Sequence, residues 1–377
     1  MEKLDKREYC EWAEEIYKKI CVKMKAQTQR VGTDIPYIPE NGRYKDMGKE
    51  GIHWWTNGFW PGILWQMYHA TNEELYKETA RGVEKRLDQA LNHYSGLDHD
   101  VGFIWLHASV ADYRLTGDEE AKERGLKAAG VLASRYNPAG QYLSAWNGNR
   151  PGHMIIDCLM NTPLLYWASR ETEDPRFALI AEKHTDTALK YIVREDGSCN
   201  HIVILDPITG EFTDNPGGQG YGKGSSWSRG QAWAVYGFVL GYKYTGKTEY
   251  LEASKRVAHY FLANAAITDY VPLLDFRAPK EPVYYDTTAG AIAACGLLAL
   301  AEVVDIFEKR LYAEGALKIL KAIEKKHCNW NQEEDSIVDF GSAKYHREED
   351  REVPIIYGDY FFIEGVLRLL EKSFLIW

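Results

Sequence analysis

The amino-acid sequence predicts an all-α fold in which six helical hairpins close into a toroid. Three observations carry this: a turn phrase that recurs along the chain, apolar runs of helical period on both sides of it, and long connections rich in Gly, Trp, His and Asp between the pairs. The phrase is an aromatic residue, then Thr, then a polar turn, then a new periodic run. It occurs at Tyr68–Tyr76, Tyr113–Ala121, Trp167–Phe177 and Tyr242–Tyr250. Gly117 and Gly246 suit helix C-termini. Asp118, Asp174 and Thr248 suit the following N-caps, and Pro175 suits a first helical position. A turn this short makes its two helices antiparallel neighbours.

Taken in order, the periodic runs predict twelve helices, over about 6–27, 57–70, 74–94, 102–115, 119–135, 154–170, 175–193, 230–244, 248–264, 287–303, 308–327 and 357–372. Pro163 would kink the sixth. Short turns alternate with long connections at 28–56, 95–101, 136–153, 194–229, 265–286 and 328–356, so ring closure would bring all six long connections to one rim. YIVREDGSCNHIVILDP holds two strand-like runs that fit a small hairpin. No linker or second strand-rich unit interrupts the pattern, and residues 1–377 read as one domain.

The chain is 45% hydrophobic and 27% charged, an ordinary globular balance. A net charge of −10 argues against nucleic acid or an anionic membrane as partner. An anionic ligand would need a local cluster of cations. The N-terminal stretch MEKLDKREYCEWAEEIYKK is charged and helical, without the apolar core of a secretory signal, and no run approaches the roughly 18 apolar residues of a membrane span. The six cysteines are scattered with no CxxC pair, as reduced thiols of a cytoplasmic protein would be. The 12 Trp and 25 Tyr exceed what helix interfaces require, so some can form platforms for flat, hydroxylated ligands.

Carboxylates are the residues left for chemistry. There is no GxSxG elbow, no HExxH, and no GxGxxG after a strand. GKGSS, within the glycine-rich run GGQGYGKGSSWSRGQAW, lacks phosphate-loop spacing. Asp157 stands in the apolar run MIIDCLM, where a carboxylate is either a buried cap or bridge, or a functional acid. Burial would raise its pKa, and a nearby Asp100 would raise it further, giving a general acid. GLDHDVGF places Asp98, His99 and Asp100 before a helix, where one Asp serves as cap and a metal site lacks a second ligand cluster. Trp227, Arg229 and Trp233 can set an arginine between two rings, as a ligand contact or a cation–π clasp. Trp54 and Trp55 lie outside the helix that takes Trp60 into the core, and His201 by itself reads as a strand histidine.

TNGFWPGILW, LDHDVGF, IIDCLMNTPLLYWA, SSWSRGQAWAVYGF and YGDYFFIEGVLRLL, in this order, resemble the unsaturated glucuronyl hydrolases of glycoside hydrolase family 88, over about residues 35–372. The resemblance implies an (α/α)6 barrel, a cytoplasmic enzyme without metal or other cofactor, and an anionic unsaturated disaccharide as substrate. It also implies removal of a 4,5-unsaturated uronic acid from lyase products by hydration of a vinyl ether. It places Asp157 at the acid/base position and Asp100 at the second essential carboxylate, with His99, His201 and Gln219 contacting the sugar. Trp55, Trp227 and Trp233 resemble its aromatic walls, and Arg229 a binding position that charge assigns to the substrate's anionic side. The run around Gln219 and the loop 146–153 depart from the family pattern, and 331–356 has no counterpart that fixes its role. Three alternatives stand beside this reading. They are an unsaturated rhamnogalacturonyl hydrolase, a conventional inverting glycosidase with two Asp residues, and a carbohydrate-binding toroid without catalysis.

Overall fold

A computed structural model describes residues 6–377. The first five residues of the charged N-terminal stretch lie outside the described residues. Twelve long helices follow in order: α1 Lys6–Val31, α2 Phe59–Thr71, α3 Glu74–Asn92, and α4, which runs from Val101–Trp105 through a π turn at Leu106–Val110 to Ala111–Thr116. Next come α5 Glu119–Ala133, α6 Thr162–Thr172, α7 Pro175–Tyr191 and α8 Ser228–Thr245. The last four are α9 Thr248–Ile267, α10 Thr287–Val303, α11 Ile306–His327 and α12 Ile356–Leu369.

The recurring threonine has a physical purpose. Thr71, Thr116, Thr172 and Thr245 each donate their hydroxyl to the carbonyl four residues back, at 2.7, 2.9, 2.7 and 2.8 Å, which satisfies a carbonyl in the last helical turn. The next residue of each is left-handed: Asn72, Gly117, Glu173 and Gly246 have φ of 58, 76, 56 and 72°. Asp118 and Asp174 then cap α5 and α7 as expected. Thr248 does not cap α9; it is the first helical residue, and Lys247 occupies the cap position without a side-chain bond.

Burial divides the helices into two rings. The even-numbered ones are buried on all faces over most of their length, whereas the odd-numbered ones bury a single stripe. The inner helices contact one another in the closed order α2, α4, α6, α8, α10, α12 and back to α2, which makes the ring an (α/α)6 barrel. No described helix is long and apolar enough to cross a membrane.

Two sequence expectations fail at one place. The helix expected from 154 starts only at Thr162, and Pro163 stands in its first turn instead of kinking it. His153–Ile155 is a strand, β1, and Ile156–Met160 a 3-10 turn. β1 pairs with β2, Ile202–Leu205, which also pairs with β3, Phe212–Asp214. The expected hairpin survives only as a bridge between Val193 and Cys199, because its second run found other partners. A short apolar run reads alike as buried strand or buried helix, so periodicity could not separate them.

A candidate active site on the rim

Five of the six long connections line one cleft of about 1070 Å³. Tyr37, Trp54 and Trp55 come from the first, Asp98 and Asp100 from the second, and Trp146, Arg150, His153 and Asp157 from the third. The fourth gives His201 and Gln219, the last Lys344, Arg347 and Asp350, and α8 gives Arg229. The connection between α9 and α10 stays behind the wall, where Asp275 accepts the backbone N–H groups of Tyr221 and Ser226 at 3.0 and 2.9 Å.

The small sheet positions Asp157. Ile155 pairs with Ile202, and the Ile156 N–H donates to the His201 carbonyl at 3.1 Å. His201 Nε2 thereby lies 3.5 Å from Asp157 Oδ1, at the outer limit of a hydrogen bond. Asp100 precedes α4, and Asn161 links the two acids. Its amide donates to Asp100 Oδ1 at 3.1 Å and to the Asp157 carbonyl at 3.3 Å, while its own oxygen accepts the Phe103 N–H at 2.8 Å. Asp98 accepts the Asp100 N–H at 2.9 Å, which shapes the turn before α4; the expected helix cap is not made, since Asp100 stands at the cap position without a side-chain bond to the helix. Asp98, His99 and Asp100 offer ligand atoms within 4.8 Å of one another, but the contacts of Asp98 and Asp100 already serve the backbone and Asn161.

Proton affinities reverse the sequence expectation. Burial pushes Asp157 up, but the close approach of His201 and the nearby His99 and Arg229 leave it below the usual carboxylate range. Asp100 is raised well above that range by burial and by the neighbouring Asp98 and Asp157 charges. Burial holds His99 down at about 3, so it is neutral near pH 7 and Arg229 is the permanent cation facing Asp157. The two acids are thus pushed in opposite directions, Asp157 toward the ionised form because donors and a cation surround it, and Asp100 toward the protonated form because carboxylates do.

The other expected residues divide. Trp55, His201 and Gln219 line the cleft. Trp55 leans on Tyr357 at 5.1 Å and on Phe103 at 5.4 Å. His99 is fully buried behind Asp100, with Nε2 at 3.4 Å from Asp100 Oδ1, and does not line the wall. Trp227 does not line it either; it backs His201 at 4.3 Å between ring centroids. Trp233 is not a wall: one helical turn past Arg229, it points into the barrel core against Phe103 and Phe361. Arg229 is clasped between Trp227 and Tyr357, not Trp233, at 4.6 and 5.1 Å. Its donors go to the Ser342 and Ala343 carbonyls at 2.6 and 2.9 Å, so it acts on the cleft by charge rather than by a fork-like grip on an anion. Gln219 Nε2 also donates to the Ala343 carbonyl, at 2.7 Å.

Sequence reasoning missed the residues that supply free cations and further rings. Arg150 covers Trp146 at 5.2 Å, and neither Arg150 nor Lys344 has an ion pair among the described residues. These two provide the local positive charge that an anionic ligand needs on a chain of −10, whereas Arg347 is paired with Glu349 and Asp350 and Arg229 faces Asp286. The signal for Trp146 and Arg150 was their i,i+4 spacing in a glycine-containing loop. For Asn161 it was a polar residue in an apolar run, the same anomaly that marked Asp157.

The sequence profile of Glycosyl Hydrolase Family 88 matches residues 27–273. The unsaturated glucuronyl hydrolase of Bacillus sp. (strain GL1) is 36% identical over 84% of this chain and 86% of its own. The crystal structure of unsaturated glucuronyl hydrolase from Bacillus sp. GL1, described as responsible for the degradation of glycosaminoglycan, superposes with a TM-score of 0.86 at 34% identity. It covers 92% of this chain and 94% of that one. An Asp-to-Asn variant of the Streptococcus agalactiae enzyme, complexed with dGlcA-GalNAc6S, superposes with a TM-score of 0.84 at 28% identity, covering 97% and 93%. An (α/α)6 barrel with paired aspartates in its rim cleft and relatives of this similarity lead to one conclusion: the chain belongs to glycoside hydrolase family 88 and is a glycosidase.

Proposed function

We propose that the protein removes the 4,5-unsaturated uronic acid from the non-reducing end of lyase-generated oligosaccharides by hydrating the double bond. The observation that carries this is Asp157, nine-tenths buried yet facing the cleft, linked through Asn161 to a second buried acid whose proton affinity its carboxylate neighbours raise. The names of the relatives support the substrate class, and the relative crystallised with a substrate disaccharide after an Asp-to-Asn change supports an aspartate as the working group.

The chemistry follows from the substrate being a vinyl ether. A proton delivered to C4 leaves positive charge at C5, shared with the ring oxygen. Water adds at C5 and gives its proton back to the acid, forming a hemiketal. The ring C5–O bond then breaks to a ketone, and the hemiacetal left at C1 expels the aglycone. One carboxyl group serves both steps if it starts protonated. Its surroundings hold Asp157 toward the ionised form, and the arriving uronate supplies what it lacks. The substrate's own carboxylate adds negative charge beside Asp157, raises its proton affinity, and draws the single proton of the pair from Asp100. Trp55 and Trp54 serve as sugar platforms, and Arg150 and Lys344 face the anionic aglycone side.

The test is the near-ultraviolet absorbance of the conjugated carboxylate. It should fall when an unsaturated glycosaminoglycan disaccharide is added, while the saturated disaccharide stays intact. Cleavage of the saturated compound at a comparable rate would overturn the reading in favour of conventional glycosidic chemistry. Turnover of an unsaturated rhamnogalacturonan disaccharide alone would move the substrate class.

A further inference from the structure

The glycine-rich loop before α8 is aimed at one side chain. The Gln219 backbone N–H donates to His201 Nδ1 at 3.0 Å. A ring nitrogen that accepts a hydrogen bond carries no proton, so the proton of the neutral imidazole is on Nε2. Nε2 lies 3.5 Å from Asp157 Oδ1, and His201 packs at a tilt of 45° against Trp227, 4.3 Å between ring centroids, which restrains the ring.

The loop is built to hold that N–H in place. Gly218 has a φ of +63°, and a Cβ there would lie 2.0 Å from His201 Nδ1, so no other residue lets the backbone approach the ring. Gln219 is anchored from the far side, since its carbonyl accepts the Tyr345 N–H at 2.9 Å and its amide reaches the Ala343 carbonyl. We propose that the Gly218–Gln219 peptide is a positioning device that locks His201 as its Nε2–H tautomer, making it a donor to Asp157 and never a base toward it. Gly218 and Gln219 are thus positioning residues acting through His201. The lock sets a fixed donor 3.5 Å from one oxygen of Asp157 and leaves the other for the proton that goes to C4 and returns from water. The catalytic consequence rests on the function proposed above; the tautomer does not.

The first test is a long-range 1H–15N correlation spectrum of the ligand-free protein labelled at histidine, with His201 assigned by its loss in His201→Gln. A protonated Nε2 and an unprotonated Nδ1 are expected; the opposite tautomer, or an even mixture, overturns the proposal. The second compares two isosteres. Gln puts an amide donor where Nε2 stands, and Asn puts one where Nδ1 stands. His201→Gln should keep roughly tenfold more kcat than His201→Asn, and equal losses overturn it. Gly218→Ala should lower kcat and disturb the His201 signals together; a folded variant with both unchanged overturns it. If that variant does not fold, the spectrum and the isostere pair still decide. Wild-type protein that leaves every unsaturated disaccharide intact sinks the functional reading, while the spectrum judges the tautomer separately.

Discussion

Asp157 and Glu364 are both carboxylates buried in the same barrel, and their surroundings are opposite. Glu364 lies seven residues past Tyr357 on α12, about 10 Å below the rim. It accepts from the Tyr236 hydroxyl, from Trp377 Nε1 at 3.0 Å and from Arg368 at 3.5 Å, and Trp377 stacks flat on Phe361 above it. Every demand of that carboxylate is met inside the protein. Around Asp157 the demands are not met: Asp157 Oδ1 and Nε2 of His201, both on residues that line the cleft, are buried without a hydrogen-bond partner. Native proteins satisfy nearly all such atoms, so a cluster of unsatisfied ones at a cleft marks where a ligand completes the network.

The largest expected effect tests that distinction at the rim. Asp157→Asn should lower kcat on an unsaturated disaccharide by about 10³-fold or more, with thermal unfolding unchanged. A loss of stability without a loss of rate would put Asp157 in the same class as Glu364. Conversely, Glu364→Ala leaves the Tyr236 hydroxyl and Trp377 Nε1 without their acceptor and should cost about 3 kcal/mol in urea unfolding, while the folded fraction keeps near-normal kcat.

Asn161→Ala sharpens the comparison within the cleft. Its amide favours the charged form of Asp100, so removing it raises Asp100 further. Activity needs the proton of the pair and declines as pH rises through the Asp100 titration. The alkaline limb of kcat/KM should therefore move to higher pH, and kcat should fall roughly tenfold as the acids lose their link. A limb that moves to lower pH would reject the placement of the proton on Asp100.

The smallest effect concerns a third buried carboxylate. Glu84 is bonded to Trp65 Nε1 at 3.0 Å and to Arg124 at 2.9 Å, yet burial and the nearby Asp112 raise it to about 8. The folded state binds its proton more tightly than the unfolded state does. That contribution is whole below the ordinary value of 4.5 and is lost as pH rises through about 8. Melting temperature should decline across this window, and Glu84→Gln, which does not titrate, should flatten the decline.

Much of the fold is legible in the residues because the information is local. The Thr-and-turn phrase ends one helix and starts the next within a few residues, so Gly117, Asp118, Asp174 and Pro175 state their own roles. The apolar run at 154–160 was misread because strand and buried helix look alike until a partner strand is known, and that partner, β2, lies about fifty residues away. The site is divided in the same way. Asp157 was visible as an acid in an oily run, and Asp100 and His99 as a polar cluster before a helix. The segment 331–356 was opaque, since its place over the cleft depends on Arg229 and Gln219 gripping Ser342 and Ala343 more than a hundred residues away.

The sequence by itself determined the helical ring, its short turns, the rim and the acid at its centre, because caps, periodicity and a misplaced carboxylate are read within a single turn or run. Only the tertiary structure decided which acid has the raised proton affinity, which rings face the cleft rather than the core, and what Arg229 grips. Proton affinity, burial and hydrogen-bond partners are sums over neighbours from different connections, and those neighbours meet only when the ring closes.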